Sequence, residues 1–158
     1  MSEDVEENAG EAAVAAKEVK IEHLVAMVGN MNRFIALLAN AGAFADAKLG
    51  LADWLIMGTV SSRSGVTSKN LAKTLGLAPQ RVSQIVDRLK ERALVSQGAQ
   101  SGNALSLTEA GSSLLLQLNT GLQDMLRAGL NGNERSFFAV ERHLRPLLQI
   151  IPATKTTG

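Results

Sequence analysis

Apolar residues recur at helical spacing over most of this chain, and the clearest pattern lies between Val66 and Val95. Its first half predicts a short helix over about Ser68–Leu75, with Thr67 as the N-cap and Gly76 as the residue that ends it. Its second half predicts a helix that begins at Pro79, a residue suited to the first helical turn. Apolar residues at i, i+3, i+4 and i+7 give this helix one buried face: Val82, Ile85, Val86 and Leu89. Two helices joined by a tight turn are typical of a helix-turn-helix.

Two short alternating segments follow this motif and predict a β-hairpin. The strands are expected over Leu94–Gln97 and Ala104–Leu107, on either side of a turn-rich stretch at 98–103. Thr108 then caps a long helix that reaches about Ala128. The predicted fold class is therefore mainly α with a small two-stranded β-wing, a winged helix-turn-helix.

The two ends of the chain carry more apolar surface than one short chain can bury. A long helix is predicted over Ile21 to about Ala41, and it is apolar on more than one face. A last helix is predicted over Glu134–Ile151, which Pro146 should kink or shorten. Asn40–Gly50 reads as a connection with two glycines, and Leu51–Val60 as a short buried helix. The excess apolar surface favours a partner subunit, with a compact helical monomer as the alternative.

Charge is distributed unevenly along the 158 residues, whose net charge is only +1. Residues 63–92 contain seven basic and two acidic residues, a net charge of +5. Such a basic surface suits regularly spaced phosphates, although a solvated helix pair would also carry lysine and arginine. Residues 1–22 carry −5. We interpret them as a solubilising tail, and the alternative is that they compete with DNA phosphates for the basic motif.

Composition argues against several other classes of protein. The chain has no cysteine, which excludes a disulfide framework and thiol-ligated metal. It has no apolar stretch long enough to span a bilayer and no secretory signal pattern at its start, so a cytoplasmic protein is expected. His23 and His143 lie on different predicted helices without a nearby cluster of carboxylates. We therefore expect no metal, no cofactor and no enzymatic activity.

The most specific segments are LAKTLGLAPQRVSQIVDRLKERALV and, after the hairpin, LSLTEAG. They resemble the multiple-antibiotic-resistance regulator (MarR) family, and the resemblance extends over roughly residues 20–151. It implies a homodimer in which the first helix and the last two helices interlock. It also implies a repressor that binds a pseudo-palindromic operator in double-stranded DNA and is released by a small aromatic or carboxylate ligand.

The resemblance divides the chain into five segments. These are an acidic tail at 1–20, partly mobile or a helix extension; a dimerisation helix at 21–45; the winged helix-turn-helix at 46–110; C-terminal dimerisation helices at 111–151; and a mobile tail at 152–158. Two features depart from the family pattern. Residues 94–107 contain no lysine or arginine, whereas family wings commonly carry a basic tip, and Ala93 replaces the usual glycine.

Two sets of site residues follow from the motif and the resemblance. The predicted DNA contacts are Ser68, Lys69, Gln80, Arg81, Ser83, Gln84, Arg88 and Gln100. The predicted ligand contacts are His23, Arg33, Phe34, Trp54 and Met57. The uncharged wing leaves open an alternative function, a winged-helix protein-interaction module with weak or lost DNA binding.

Overall fold

The computed structural model describes residues 20–98 and 102–150, and the chain divides into two compact units, residues 1–41 and 42–158. The first unit contains helix α1 (Ile21–Ala39). The second contains, in order, α2 (Gly42–Ala47), α3 (Leu51–Ser62), α4 (Ser68–Leu75), α5 (Pro79–Glu91), β1 (Val95–Gln97), β2 (Leu105–Leu107), α6 (Glu109–Leu130) and α7 (Glu134–Ile150). This is the predicted mainly α fold with a two-stranded wing. No helix in the described part of the chain combines the length and apolar character that a membrane span needs.

The helix-turn-helix forms as the sequence predicts. The Thr67 hydroxyl accepts a hydrogen bond from the Asn70 amide at 3.3 Å and so caps α4. Gly76 ends that helix with a φ of 63°, a left-handed conformation that glycine adopts without a side-chain penalty. The amide of Leu77 then donates to the Ala72 carbonyl at 3.1 Å. Helix α5 begins at Pro79 and buries the four predicted apolar residues.

The core of the second unit lies between α3, α4, α5 and α6. Its largest fully buried side chains are Ile56, Met57, Leu71, Leu89, Leu118, Val82 and Val86. The indole Nε1 of Trp54 donates to Asn119 Oδ1 at 2.8 Å, and the Trp54 ring meets Phe44 edge to face at 6.1 Å between centroids. These contacts join α2, α3 and α6, and they fix the scaffold against which α5 packs.

The wing is an antiparallel hairpin anchored at its base. Val95 pairs with Leu107 and Gln97 with Leu105, and the Leu105 amide also donates to the Val66 carbonyl at 2.7 Å. The Thr108 hydroxyl donates to the Ala93 carbonyl at 2.6 Å and accepts from the Gly111 amide at 3.0 Å. A Cβ atom on Gly111 would lie 2.0 Å from the Leu94 carbonyl oxygen. The glycine of LTEAG therefore lets α6 start directly against the chain that enters the wing.

Three sequence predictions differ from the structure. The predicted connection Asn40–Gly50 contains helix α2, because burial of Phe44 stabilises a short helix that Gly42 disfavours. Helix α3 continues to Ser62, beyond the predicted end at Val60. Helix α7 runs through Pro146 to Ile150, so Pro146 does not shorten it, and a kink at Pro146 stays a prediction. Pro146 is exposed there, and water can satisfy the carbonyl that loses its amide partner.

The predicted tails at 1–20 and 152–158, apart from Lys20, lie outside the described residues, as does Gln100. The predicted domain boundary at 45/46 stays a prediction, and the division between the two units lies after Ala41.

Candidate nucleic-acid interface

The first half of α5 presents a continuous polar face. Gln80, Arg81, Ser83 and Gln84 are all exposed, on the side of the helix opposite Val82, Ile85 and Val86. In a helix-turn-helix, the N-terminal turns of the second helix are the part that contacts base edges. The structure therefore brings four of the predicted contact residues together on the surface where such contacts are made.

The start of α4 carries the two further predicted contacts. Lys69 is exposed, and Ser68 is half-buried next to the capping residue Thr67. An exposed ammonium near a helix N-terminus suits a backbone phosphate, because both the charge and the free amides of the first turn attract anions.

Arg88 is differently placed, since its guanidinium is paired within the protein. Its Nη2 donates to Oδ1 of Asp53 in α3, and the other carboxylate oxygen of Asp53 accepts from the Gly50 amide at 2.6 Å. Asp53 is 4% exposed and is the buried charged residue of the described core, whereas the Arg88 side chain is 54% exposed. The predicted role of Arg88 in DNA contact stays a prediction, and the ion pair gives its guanidinium a partner within the protein.

Two further basic residues, Lys90 near the end of α5 and Arg92 directly after it, also contact the protein. Arg92 donates through Nη1 to the Lys48 carbonyl at 2.7 Å and through Nη2 to the Ala47 carbonyl at 3.1 Å. Lys90 donates to Gln97 Oε1, and Gln97 Nε2 donates to the Asn103 carbonyl at 3.2 Å. The C-terminal half of α5 is thus held by α2, α3 and the wing, while the N-terminal half faces solvent.

Sequence reasoning did not find Asp53 or the contacts of Arg92. A single acid within the apolar segment LADWLIMG was a usable signal, because a buried carboxylate needs a cationic or hydrogen-bonding partner. Its partner lies 35 residues away, and one sequence offers no means of choosing among the arginines.

The predicted ligand residues divide between the two units. His23, Arg33 and Phe34 are exposed on α1. Met57, on α3, is 0% exposed and belongs to the core, and Trp54 is half-buried with its indole N–H bonded to Asn119. Packing therefore accounts for the positions of Met57 and Trp54, and their role in ligand binding stays a prediction.

Two surface cavities lie on either side of the loop at 63–65. The larger, about 550 Å³, is bordered by the end of α3, strand β2 and the first turns of α6. The smaller, about 230 Å³, is bordered by α4 and includes Arg63, Asn70 and Lys73. Neither is lined by the predicted ligand residues.

Comparison with known proteins shows a similarity to one protein family over this domain. The model of the MarR family matches residues 48–104, from the residue after α2 to the residue before β2. Over these residues the chain is similar to the MarR family. MarR-family proteins are transcription regulators and not enzymes. No curated protein matches the chain.

Solved structures of transcription regulators share the fold of the chain well beyond the matched residues. The transcriptional regulator BldR from Sulfolobus solfataricus has a TM-score of 0.69 and 19% identity, covering 85% of this chain and 100% of its own. A MarR/EmrR family regulator from Acinetobacter sp. ADP1 has a TM-score of 0.66 and 20% identity, covering 84% and 100%. A MarR family protein of Mycobacterium tuberculosis, solved in complex with DNA, has a TM-score of 0.60 and 19% identity, covering 80% and 98%.

Proposed function

We propose that this protein is a cytoplasmic transcription regulator that binds double-stranded DNA as a homodimer and represses nearby genes. The observation that carries the proposal is the exposed polar face on the N-terminal half of α5, within a domain similar to the MarR family. The excess of basic residues over 63–92 supports it, because neutralised phosphates supply much of the affinity of DNA-binding proteins. A MarR family protein from M. tuberculosis is described in complex with DNA.

Each exposed residue of this face has a chemistry that suits a part of DNA. Gln80 and Gln84 have amide groups that can donate to and accept from an adenine edge. Arg81 suits guanine or a phosphate, and Ser83 suits either a base or the backbone. Ser68 and Lys69 are proposed to contact phosphates from the start of α4.

The proposed dimer partner is a second copy of this chain, bound through its end helices. Helix α1 has no buried residue, and large apolar side chains are exposed along it: Ile21, Leu24, Val25, Met27, Val28, Phe34, Ile35 and Leu37. Phe137, Phe138 and Val140 are similarly exposed on α7. Contiguous apolar surface of this extent is uncommon on monomers and indicates an interface. A homodimer with one recognition helix per subunit fits a pseudo-palindrome whose half-sites lie about 10 base pairs apart.

The test of DNA binding uses fragments selected from a genomic pool and fluorescence anisotropy at several salt concentrations. Gln84→Ala should change the preference for one base pair over another at a single position by about 1–3 kcal/mol. Lys69→Ala should make the slope of log binding constant against log salt concentration shallower by about 0.9. Gln117→Ala, an exposed glutamine on α6, is the control and should leave sequence preference unchanged. Equal binding of all variants to matched and scrambled DNA would contradict the proposed contacts.

We further propose that a small aromatic carboxylate releases the protein from DNA. The M. tuberculosis protein has been solved in complex with salicylic acid and with p-aminosalicylic acid. Arg33 and Phe34 are adjacent on α1 and combine a cation with an aromatic ring, and His23, Trp54 and Met57 complete the proposed set. Titration with salicylate should reduce DNA binding of the wild type and have a smaller effect on Arg33→Ala. Arg127→Ala, whose partner is Asp124, is the control.

The second candidate function is a winged-helix protein-interaction module. It is favoured by the absence of lysine and arginine from residues 94–107, since such side chains normally exploit the negative potential of the minor groove. If DNA binding is the function, Gln100→Arg should strengthen binding, most of all on A·T-rich flanks. Deleting residues 1–20 should strengthen binding at low salt if the acidic tail competes with phosphates. Absence of salt-dependent binding to any selected fragment would favour the interaction module.

A further inference from the structure

We propose that α5 is divided by function, and that Arg88 and Arg92 are positioning residues rather than DNA contacts. In this division the N-terminal half of α5 contacts DNA. The two arginines hold its C-terminal end against the corner formed by the end of α2 and the start of α3, through contacts with Ala47, Lys48 and Asp53. The inference rests on the proposed DNA-binding function and specifies which residues of the basic surface serve it.

The first fastening point is the ion pair between Arg88 and Asp53. A carboxylate that is 4% exposed is costly to bury unless charge and hydrogen bonds compensate for the lost water. Arg88 supplies the charge and the Gly50 amide supplies a hydrogen bond, so the interaction with Asp53 compensates for that cost. Removing Arg88 from this pair to reach a phosphate would leave Asp53 buried without its cation.

The second fastening point is the guanidinium of Arg92. Its two terminal nitrogens reach the carbonyls of Ala47 and Lys48, where α2 ends and Lys48 takes a φ of 51°. Carbonyls at a helix end lack intrahelical partners, and the planar fork of an arginine can satisfy two of them together. Both donor groups of the fork are therefore occupied within the protein.

The corner that receives both arginines is itself held firmly. Trp54 follows Asp53 directly, and its indole is fixed by Asn119 in α6 and by the ring of Phe44 in α2. The apolar stripe of α5 resists separation of the helix from the core, but it constrains rotation and sliding less than directional hydrogen bonds do. We infer that the arginine contacts set the rotation and axial position of α5.

Helical geometry connects this positioning to DNA recognition. Arg88 lies four residues after Gln84, so the two side chains occupy the same face one turn apart. A change in the rotation of α5 at Arg88 therefore displaces Gln84, and Gln80 beyond it, from the bases they are proposed to read. Loss of either fastening should lower affinity without removing a phosphate contact.

The experiment measures the affinity of the dimer for a DNA fragment selected from a genomic pool. The salt slope, which is the slope of log binding constant against log salt concentration, is measured on the same fragment. Arg81→Ala, in the exposed half of α5, is the reference and should reduce the log–log slope by about 0.9 if it meets a phosphate. Arg88→Ala and Arg92→Ala should lose about tenfold in affinity with the slope unchanged, the low end for loss of a charge-assisted hydrogen bond. Asp53→Asn should reproduce the Arg88→Ala loss, and the double variant should bind no more weakly than either single variant.

A charge-preserving variant separates positioning from simple electrostatics. Arg92→Lys keeps the charge but replaces the planar two-nitrogen fork with a single flexible ammonium, so its affinity should fall towards that of Arg92→Ala. This substitution retains the side-chain stem at an exposed position, so it provides the test even if Asp53→Asn proves poorly folded. Thermal unfolding of each variant establishes that the protein assayed is folded.

Several results would overturn the inference. It fails if Arg88→Ala or Arg92→Ala reduces the salt slope as Arg81→Ala does, if Arg92→Lys binds like the wild type, or if the losses of Asp53→Asn and Arg88→Ala add. In each of these cases the wild type binds DNA and the proposed function stands. A wild type that binds no selected fragment at any salt concentration instead overturns the proposed function, and the inference with it.

Discussion

Helices α5 and α1 both carry apolar residues at helical spacing, but only α5 buries them within its own chain. Helix α5 has 13 residues and buries Val82, Ile85, Val86 and Leu89 within its own chain. Helix α1 has 19 residues and buries none, although its sequence is the more apolar of the two. A recognition helix that reads DNA must keep a polar face and therefore uses a narrow buried stripe. A helix that is apolar on several sides and exposed in the protomer is suited to contact with another subunit.

The wing and α7 also differ in whether their contacts lie within the chain. The wing is short and its strands are fastened to Val66 and Thr108 by backbone and side-chain hydrogen bonds. On α7, Phe137 and Phe138 contact each other edge to face, and the Phe138 side chain remains largely exposed. The winged helix-turn-helix thus buries its apolar residues within one chain, whereas large apolar side chains of the described parts of α1 and α7 are exposed. Substitutions in the two regions should differ accordingly.

The largest effect is expected from Gly111→Ala, in the region that buries its apolar residues within one chain. The new Cβ would lie 2.0 Å from the Leu94 carbonyl oxygen, so α6 or the entry to the wing must move. We expect a loss of about 2–4 kcal/mol in the free energy of unfolding. Urea denaturation measures this loss.

Gly58→Ala provides the matched control, because Gly58 lies within α3 and a Cβ there would have no neighbour within 4 Å. Its helix should gain about 0.5–1 kcal/mol from replacement of glycine by alanine. Equal stability of Gly111→Ala and the wild type would show that the start of α6 is less constrained than the backbone contact indicates.

A pair of valines tests the contrast between α5 and α1 directly. Val82 is 0% exposed and Val25 is 66% exposed, so the same substitution to alanine removes the same atoms from opposite environments. Val82→Ala should cost about 2 kcal/mol of stability at any protein concentration. Val25→Ala should act through dimerisation, with a larger dissociation constant and an unfolding midpoint that depends more strongly on concentration.

Sedimentation equilibrium and unfolding at several protein concentrations distinguish these two behaviours. A wild type that sediments as a monomer at all concentrations would remove the contrast, since α1 would then be exposed without serving an interface. A concentration-independent loss of stability in Val25→Ala would instead indicate that the valine packs within its own protomer.

The sequence predicted the parts of the fold that depend on local rules. The stripe on α5, the Thr67 and Thr108 caps and the ending of α4 at Gly76 are all confirmed, because periodicity and capping are properties of neighbouring residues. Helix α2 was missed because its stability comes from burial of Phe44 against a tryptophan in another helix, and GAFADA alone offers a weak helical pattern.

In the candidate site, too, the sequence predicts what depends on neighbouring residues and not what depends on distant contacts. The exposure of Gln80, Arg81, Ser83 and Gln84 followed from their positions opposite the apolar stripe. The partner of Arg88 did not, because local spacing places arginine on a polar face without indicating that a buried carboxylate lies beside it. The net charge of +5 over residues 63–92 therefore does not reveal that one of its arginines is paired with a buried carboxylate outside that range.

The smallest expected effect comes from Ala93, which enters the wing from the end of α5. Ala93 has a φ of 54°, a left-handed conformation that costs an alanine about 1 kcal/mol and glycine almost nothing. Its side chain is exposed, so removing the methyl group leaves no cavity. Ala93→Gly should therefore raise the free energy of unfolding by about 1 kcal/mol.

Ala110→Gly, at an exposed position in the first turn of α6, is the matched control for Ala93→Gly and should lower stability by about 0.5–1 kcal/mol. The opposite signs follow from backbone conformation alone, because glycine gains the same freedom in the unfolded chain in both variants. Since Ala93 belongs to the winged domain, the gain should leave the dimer dissociation constant unchanged. A loss of stability in both variants would mean that unfolded-state entropy outweighs the left-handed penalty at Ala93. The alanine that replaces the family glycine would then be the more stable residue at the wing entrance.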